Sequence, residues 1–380
     1  MNKDILVYNN WDPLEEIWLG DTYPEHFYED FDSEIRDNFC KVTEYTKEDL
    51  NIVQKKFEEF GVTVRRPTFK NKEHYFYSNT KKLMKPPICP RDDNAVIGDK
   101  LYYTTYYGGV WEEIAKIYNS DIQKQDKTLM SGAGIVKLGQ DIIFDCSITN
   151  SKQKKEEQIK TLFYNFELFL SATKDIVKDY RLHFSTNGGH LDACFMPVRP
   201  NLFLATKYFS NYELILPNWD SIFIYEPTYM LGKKMGHISQ DVAHKWRMGN
   251  FNFPSVFNNF INKYCNDWIG NYKETYFEVN VVMIDEKNMI CIDTSGLHEP
   301  LFELLHKEGI NVHVVPWRTR NFWDGGIHCI TLDVRRKAKK NDYFPERGEC
   351  GIKTIIADVF DNDKDLFYSK YKEWLETKKL

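Results

Sequence analysis

Cys329 follows a Gly-Gly pair, Gly325-Gly326, and sits beside a histidine, His328. Glycines let backbone approach a ligand closely and a neighbouring imidazole can lower a thiol pKa, so Cys329 is the candidate nucleophile. His190 also follows two glycines, with Asp192 two residues further along the same strand face. A further carboxylate, Asp92, stands in Pro90-Arg-Asp-Asp93, directly ahead of an apolar run. Taken singly, each residue also fits an ordinary structural role: a buried thiol, a satisfied strand histidine, a solvated Arg91–Asp92 pair or an Asx-turn acid.

The elements around these residues repeat. Apolar runs broken by a polar turn recur at 95–103, 134–144 and 279–292, and each reads as a β-hairpin. Residues 193–205, turning at Arg199-Pro200-Asn201, fit the same template, with Pro197 weakening the first strand. A helix, a glycine and a β-rich run ending in proline occur twice, around Gly61 to Pro67 and Gly309 to Pro316. The first helix is expected to start at Thr46 as N-cap, bury Leu50, Val53, Phe57 and Phe60, and stop at Gly61. A third helix is expected over 151–170, with Ile159, Leu162, Phe163, Phe166 and Phe169 on its apolar face.

Hairpins alternating with helices predict an α/β domain of like modules packed round one axis. The residues just before each hairpin then become neighbours: Arg91 to Asp93, Ser131 to Ala133, His190 to Asp192, and the Gly325 to Cys329 segment. The stretch 208–276, rich in Trp, Phe, Asn and Tyr, breaks the rhythm and reads as an insertion with its own helix signals at 241–248 and 255–267.

Composition narrows the function classes. With 42% apolar and 15% aromatic residues over 380 positions, the chain buries a substantial core. Fifty Lys+Arg against 56 Asp+Glu leave a formal charge of −6 and no long basic block, so a nucleic-acid partner is not expected. No signal-peptide layout and no run of eighteen apolar residues are present, so a soluble, cytoplasmic protein without a membrane partner is expected. Eight scattered cysteines, with no C-x-x-C pair, predict reduced thiols and no zinc site.

Read together, the segments resemble the amidinotransferase family, within the wider group of guanidino-modifying enzymes. The resemblance rests on Trp11-Asp-Pro-Leu-Glu-Glu16 with Gly20, Gly61 to Pro67, Pro90-Arg-Asp92, His190-Leu-Asp192, Asn280-Val-Val-Met-Ile-Asp-Glu-Lys287, and Gly326-Ile-His-Cys329 through Asp333-Val-Arg-Arg336. These follow one another in the family's order over most of the chain. The resemblance implies a single domain over 1–380 built as a five-bladed, pseudo-symmetric α/β propeller of ββαβ modules, with the active site at its centre.

It also implies transfer of an amidino group from arginine to an amine acceptor, without metal or organic cofactor, and permits a homodimer. Cys329 is then the nucleophile and His190 the acid/base; Asp92 and Asp192 grip the guanidinium, with Ser131, Asn280 and Arg318 as further substrate contacts. Two carboxylates can hold a planar guanidinium bidentately, and its fixed charge favours a thiolate beside it. The sequence departs from the family at Ser131, where an Asp ordinarily works with the histidine; Asp141 and Asp145, the nearest alternatives, read as turn or surface residues. The donor-carboxylate arginine falls near Tyr208 and Phe209, leaving Lys207 or Arg199 to substitute. Two other functions stay open: a guanidine hydrolase yielding a ureido product, and a catalytically silent guanidine-binding protein.

Overall fold

The computed structural model describes residues 4–76, 83–104, 109–119, 121–125, 131–145, 154–172, 174–185, 190–205, 212–224, 260, 263–265, 268, 279–292, 299–323, 325–356 and 364–378. All four expected hairpins form. They pair Ala95–Ile97 with Lys100–Thr104, Ile135–Leu138 with Asp141–Asp145, Phe195–Arg199 with Leu202–Ala205, and Val282–Asp285 with Asn288–Ile292. Pro197 is accommodated opposite Phe203, and Asn201 takes the left-handed conformation (φ 65°) that lets the tight turn close.

Each hairpin gains a third strand parallel to its second: Asp121–Gln125, Arg181–Ser185, Asp220–Phe223 and Asn311–Val315. A parallel neighbour demands a crossover, and this is where helices occur. Val110–Ala115, Lys155–Ala172 with Lys174–Asp179, and Glu299–Lys307 fill three of those connections. Among the described residues this makes five separate mixed sheets, an α/β arrangement. The fifth sheet joins the two ends of the chain. Thr331–Arg336 lies antiparallel to Leu14–Leu19, which is parallel to Thr63–Arg65 across the helix Ser33–Glu59.

The helix Lys155–Ala172 buries Ile159, Leu162, Phe163, Phe166 and Phe169 as its spacing predicts, each contributing about 1.5–3 kcal/mol of apolar burial. Gly61 and Gly309 both stop their helices with φ near +77°. The first helix, however, starts at Ser33, thirteen residues before Thr46. Thr46 is no cap but a buried mid-helix residue whose hydroxyl donates to the Val42 carbonyl at 2.7 Å.

Of the stretch 208–276, the described part 212–224 does not break the plan, since it supplies the strand Asp220–Phe223. Phe260, Cys265 and Trp268 pack into the core around Tyr23, Phe39 and Trp323. The helix signal at 241–248 lies outside the described residues, as does most of that at 255–267. No helix among the described residues is long and apolar enough to cross a membrane.

Candidate active site

Each of the five sheets begins with a polar segment. Pro90–Asp93 precedes Ala95–Ile97, Ser131 precedes Ile135–Leu138, His190 to Asp192 precede Phe195–Arg199, Asn280 precedes Val282–Asp285, and Gly325 to Cys329 precede Thr331–Arg336. The expected convergence is observed for the chemistry-bearing residues. A carboxylate oxygen of Asp92, a ring nitrogen of His190 and the sulfur of Cys329 all lie within 4.8 Å of one another. His190 Nδ1 stands 3.9 Å from Asp92 Oδ1, both side chains being half-buried. An oxygen, a nitrogen and a sulfur so close are also donors that a borderline-soft cation could use.

Asn280 organises the sulfur's surroundings. Its Oδ1 accepts from the backbone N–H groups of His328 (2.9 Å) and Cys329 (3.1 Å). Its Nδ2 donates to Cys329 Sγ at 3.1 Å and to the Asp192 carbonyl at 3.3 Å. Gly326 is required here, because a Cβ would meet Asn280 Oδ1 at 2.5 Å. Asp192 Oδ2 accepts from His328 Nδ1 at 2.6 Å and lies 3.7 Å from the sulfur. The remaining carboxylate oxygens, Oδ1 of Asp92 and Oδ1 of Asp192, are buried and accept no hydrogen bond among the described residues.

These environments fix the charge states. Burial, followed by the nearby Arg91 cation, pushes His328 down to about 4, so it is a neutral donor to Asp192. Burial, the largest influence, would raise Asp192, but the His328 hydrogen bond together with the electrostatic pull of His328, His190 and Arg91 outweighs it, and the carboxyl lies below its usual value. Burial raises Asp92, partly opposed by His190. Burial and the charges of Asp192 and Asp92 raise Cys329 well above an ordinary thiol. The expectation that the adjacent histidine lowers the Cys329 pKa is therefore overturned: the His328 ring faces Asp192 and carries no charge.

Arg91, expected to pair with Asp92 in solvent, is fully buried and faces the other way. Its Nε donates to the carbonyls of His328 (2.9 Å) and Thr331 (3.0 Å), and its Nη2 to Asp333 Oδ1 (2.7 Å). Asp333 also takes Arg336 Nε at 3.0 Å and lies 3.6 Å from Lys137 Nζ. One buried carboxylate thus meets three buried cations, which hold it far below its usual pKa against the opposing effect of burial. This web ties the turn carrying Asp92 to the segment carrying Cys329.

Ser131 and Arg318 sit differently from expectation. The Ser131 hydroxyl caps its own turn, accepting from Ala133 N at 3.2 Å and donating to the Arg91 carbonyl at 3.4 Å, and makes no hydrogen bond to His190. Arg318 is held by the helix Ser33–Glu59: its Nε donates to Asp49 Oδ1 (2.8 Å), its Nη2 to Glu48 Oε2 (2.6 Å), and its guanidinium stacks on Tyr45. Arg199 pairs with Glu308, while Lys207, Tyr208 and Phe209 lie outside the described residues.

Asp141, read as a turn or surface acid, is fully buried and accepts from Arg181, His183 and Arg347. Sequence reasoning missed His328 as the partner of Asp192 and the whole Asp333 web. The run of one acid and two arginines at 333–336 beside the nucleophile was the available signal.

No family model matches the chain. Curated relatives cover nearly all of it: inosamine-phosphate amidinotransferase 1 of Streptomyces griseus is 22% identical over 90% of this chain and 99% of its own length. The L-arginine:L-lysine amidinotransferase of Pseudomonas savastanoi pv. phaseolicola is 23% identical over 90% and 96%. Among solved structures, SxtG from Microseira wollei, an amidinotransferase in the saxitoxin biosynthetic pathway, superposes with a TM-score of 0.61 at 20% identity. That likeness covers 90% of this chain and 99% of the other, and it establishes a common fold.

Proposed function

We propose that the chain, similar over nine-tenths of its length to curated amidinotransferases, is itself an amidinotransferase and moves an amidino group from L-arginine to an amine acceptor through an amidino-cysteine on Cys329. We read the five sheets as the blades of a five-bladed, pseudo-symmetric α/β propeller, closed where the strand Thr331–Arg336 meets Leu14–Leu19.

The observation that supports the reading is the pair of buried oxygens that accept no hydrogen bond among the described residues, Asp92 Oδ1 and Asp192 Oδ1, on two carboxylates flanking a sulfur. Buried acceptors of this kind require donors, and a guanidinium brings a planar fork of N–H groups with a fixed charge. Binding that cation offsets the two acids that keep the Cys329 thiol protonated, so once substrate is held the thiol proton passes to His190, whose ring lies within 4.8 Å of the sulfur, and the thiolate forms. The thiolate attacks the central guanidinium carbon, and the tetrahedral adduct collapses as His190 protonates the departing amine, releasing ornithine. The acceptor amine then gives a proton to His190 and takes the amidino group, which completes a ping-pong cycle. With Ser131 turned to backbone, Asp92 is the acid that stabilises the His190 imidazolium, from 3.9 Å.

The test is incubation with arginine and a panel of primary amines, with product mass spectrometry. Ornithine plus a new guanidino compound is expected, together with a covalent adduct on the intact chain that is absent from Cys329→Ala. Citrulline and ammonia would instead identify a hydrolase. Arginine binding with neither adduct nor turnover would overturn the enzymatic reading.

A further inference from the structure

A second thiol stands beside the nucleophile. Cys89, buried at the start of the turn that carries Arg91 and Asp92, points its sulfur toward Gly325. A Cβ built on Gly325 would lie 3.2 Å from Cys89 Sγ, 3.1 Å from Cys329 Cβ and 3.9 Å from Cys329 Sγ. Both sulfurs therefore lie within 4 Å of one point over the Gly325 α-carbon, a space that the absent side chain leaves open. That glycine is pinned in place: its carbonyl accepts from Trp317 Nε1 at 2.8 Å and its N–H donates to the Arg320 carbonyl at 3.3 Å.

We infer that Cys89 and Cys329 form a reversible disulfide that withdraws the nucleophile under oxidising conditions and shields it from irreversible oxidation. The oxidant is a hydroperoxide. The Cys329 thiolate takes one peroxide oxygen to become a sulfenic acid, with the other oxygen leaving as water. The Cys89 thiol then attacks that sulfur and expels the hydroxyl as a second water. Two thiols and one hydrogen peroxide yield one disulfide and two waters, the sulfurs losing two electrons. A resolving cysteine of this kind needs proximity and room to rotate into disulfide geometry: both sulfurs approach the same point over Gly325, and the missing side chain there leaves the room.

Silencing of turnover rests on the role proposed for Cys329; formation of the bond does not. The reduced full-length chain is treated with hydrogen peroxide in alkaline buffer, which populates the thiolate, then alkylated and mapped by mass spectrometry without reductant. A linked Cys89–Cys329 peptide is expected, with dithiothreitol restoring alkylation of Cys329. In Cys89→Ser and Cys89→Ala the same treatment drives Cys329 to sulfinic acid, so reductant-recoverable Cys329 falls several-fold. In Gly325→Val, where a side chain lies between the sulfurs, the yield of linked peptide falls. Sulfinic acid at Cys329 of the unaltered chain without a linked peptide, or equal recovery with and without Cys89, overturns the inference. A linked peptide in a chain that shows no amidino transfer when reduced would discard the proposed activity and leave the disulfide standing.

Discussion

Asn280→Asp separates two things that one carboxamide does. The new carboxylate still accepts from the N–H groups of His328 and Cys329, now 2.9 and 3.1 Å away, and those two donors hold it ionised. It has lost the N–H that reaches Cys329 Sγ at 3.1 Å and puts an anionic oxygen in its place. Two like charges about 4 Å apart repel by about 4 kcal/mol at an effective dielectric of 20. Losing a hydrogen bond to a charged group adds about 1.5–3 kcal/mol. Both effects oppose the thiolate, and even a third of their total exceeds the roughly 1.4 kcal/mol that corresponds to a tenfold change. The rate of iodoacetamide alkylation at Cys329, followed across pH, is expected to fall at least tenfold in neutral buffer, with its midpoint displaced upward. The denaturant midpoint should fall only modestly, because the two backbone N–H donors keep their acceptor while the 3.3 Å bond to the Asp192 carbonyl is lost. Alkylation within threefold of the parent, in a folded variant, would refute the claim that this amide supports the sulfur anion.

Asp333→Asn leaves Arg91, Lys137 and Arg336 buried around a neutral amide, and urea denaturation should register a loss of about 3–5 kcal/mol; a loss below about 1 kcal/mol would mean the web is not holding the fold. Stability should fall on acidification, because His328 titrates near 4 when folded and at its ordinary 6.5 when unfolded. The unfolded chain binds the extra proton between those values, costing about 3 kcal/mol by the lower end. Asp192, depressed in the fold, adds a loss of the same sign as pH drops through the carboxylate range; urea midpoints should therefore decline more steeply below pH ~6.5 for the parent than for His328→Gln. Ser131→Asp should not raise turnover, since its carboxylate would face the Arg91 carbonyl that the hydroxyl now serves; faster turnover would show that position 131 does act on His190.

What could be read in the sequence was local. The hairpins at 95, 134 and 279 showed because apolar runs interrupted by a polar turn have few other ways to fold. Gly61 and Gly309 marked helix ends because a left-handed residue there favours glycine. Thr46 misled for the same local reason: a threonine ahead of an apolar stripe looks like a cap, yet here it bonds back to Val42 inside a longer helix. The Ser33 start was hidden by the absence of any side-chain cap at Asp32.

The site itself divides along a related line. Residues adjacent in a tight segment face different ways, so Arg91 turns from Asp92, and His328 points its ring to Asp192 while Cys329 offers its sulfur to Asn280. In each pair one neighbour reaches the reacting centre and the other bonds a carboxylate distant in sequence. Those second bonds join residues 91 and 333, 192 and 328, and 137 and 333, separations at which no helical or strand periodicity carries information. The reacting residues were legible because their types and glycine neighbours are unusual, whereas their supports are ordinary charged residues that a sequence places on the surface by default. A buried acid shared by Arg91, Lys137 and Arg336 is stable only because the fold supplies every partner at once, so removing any one partner tests the arrangement as a whole. On this account a substitution at Asp333, which touches neither the sulfur nor His190 in the hydrogen-bond pattern, still displaces Cys329 relative to Asp92, because Arg91 links the Asp92 turn to the His328 carbonyl and to Asp333.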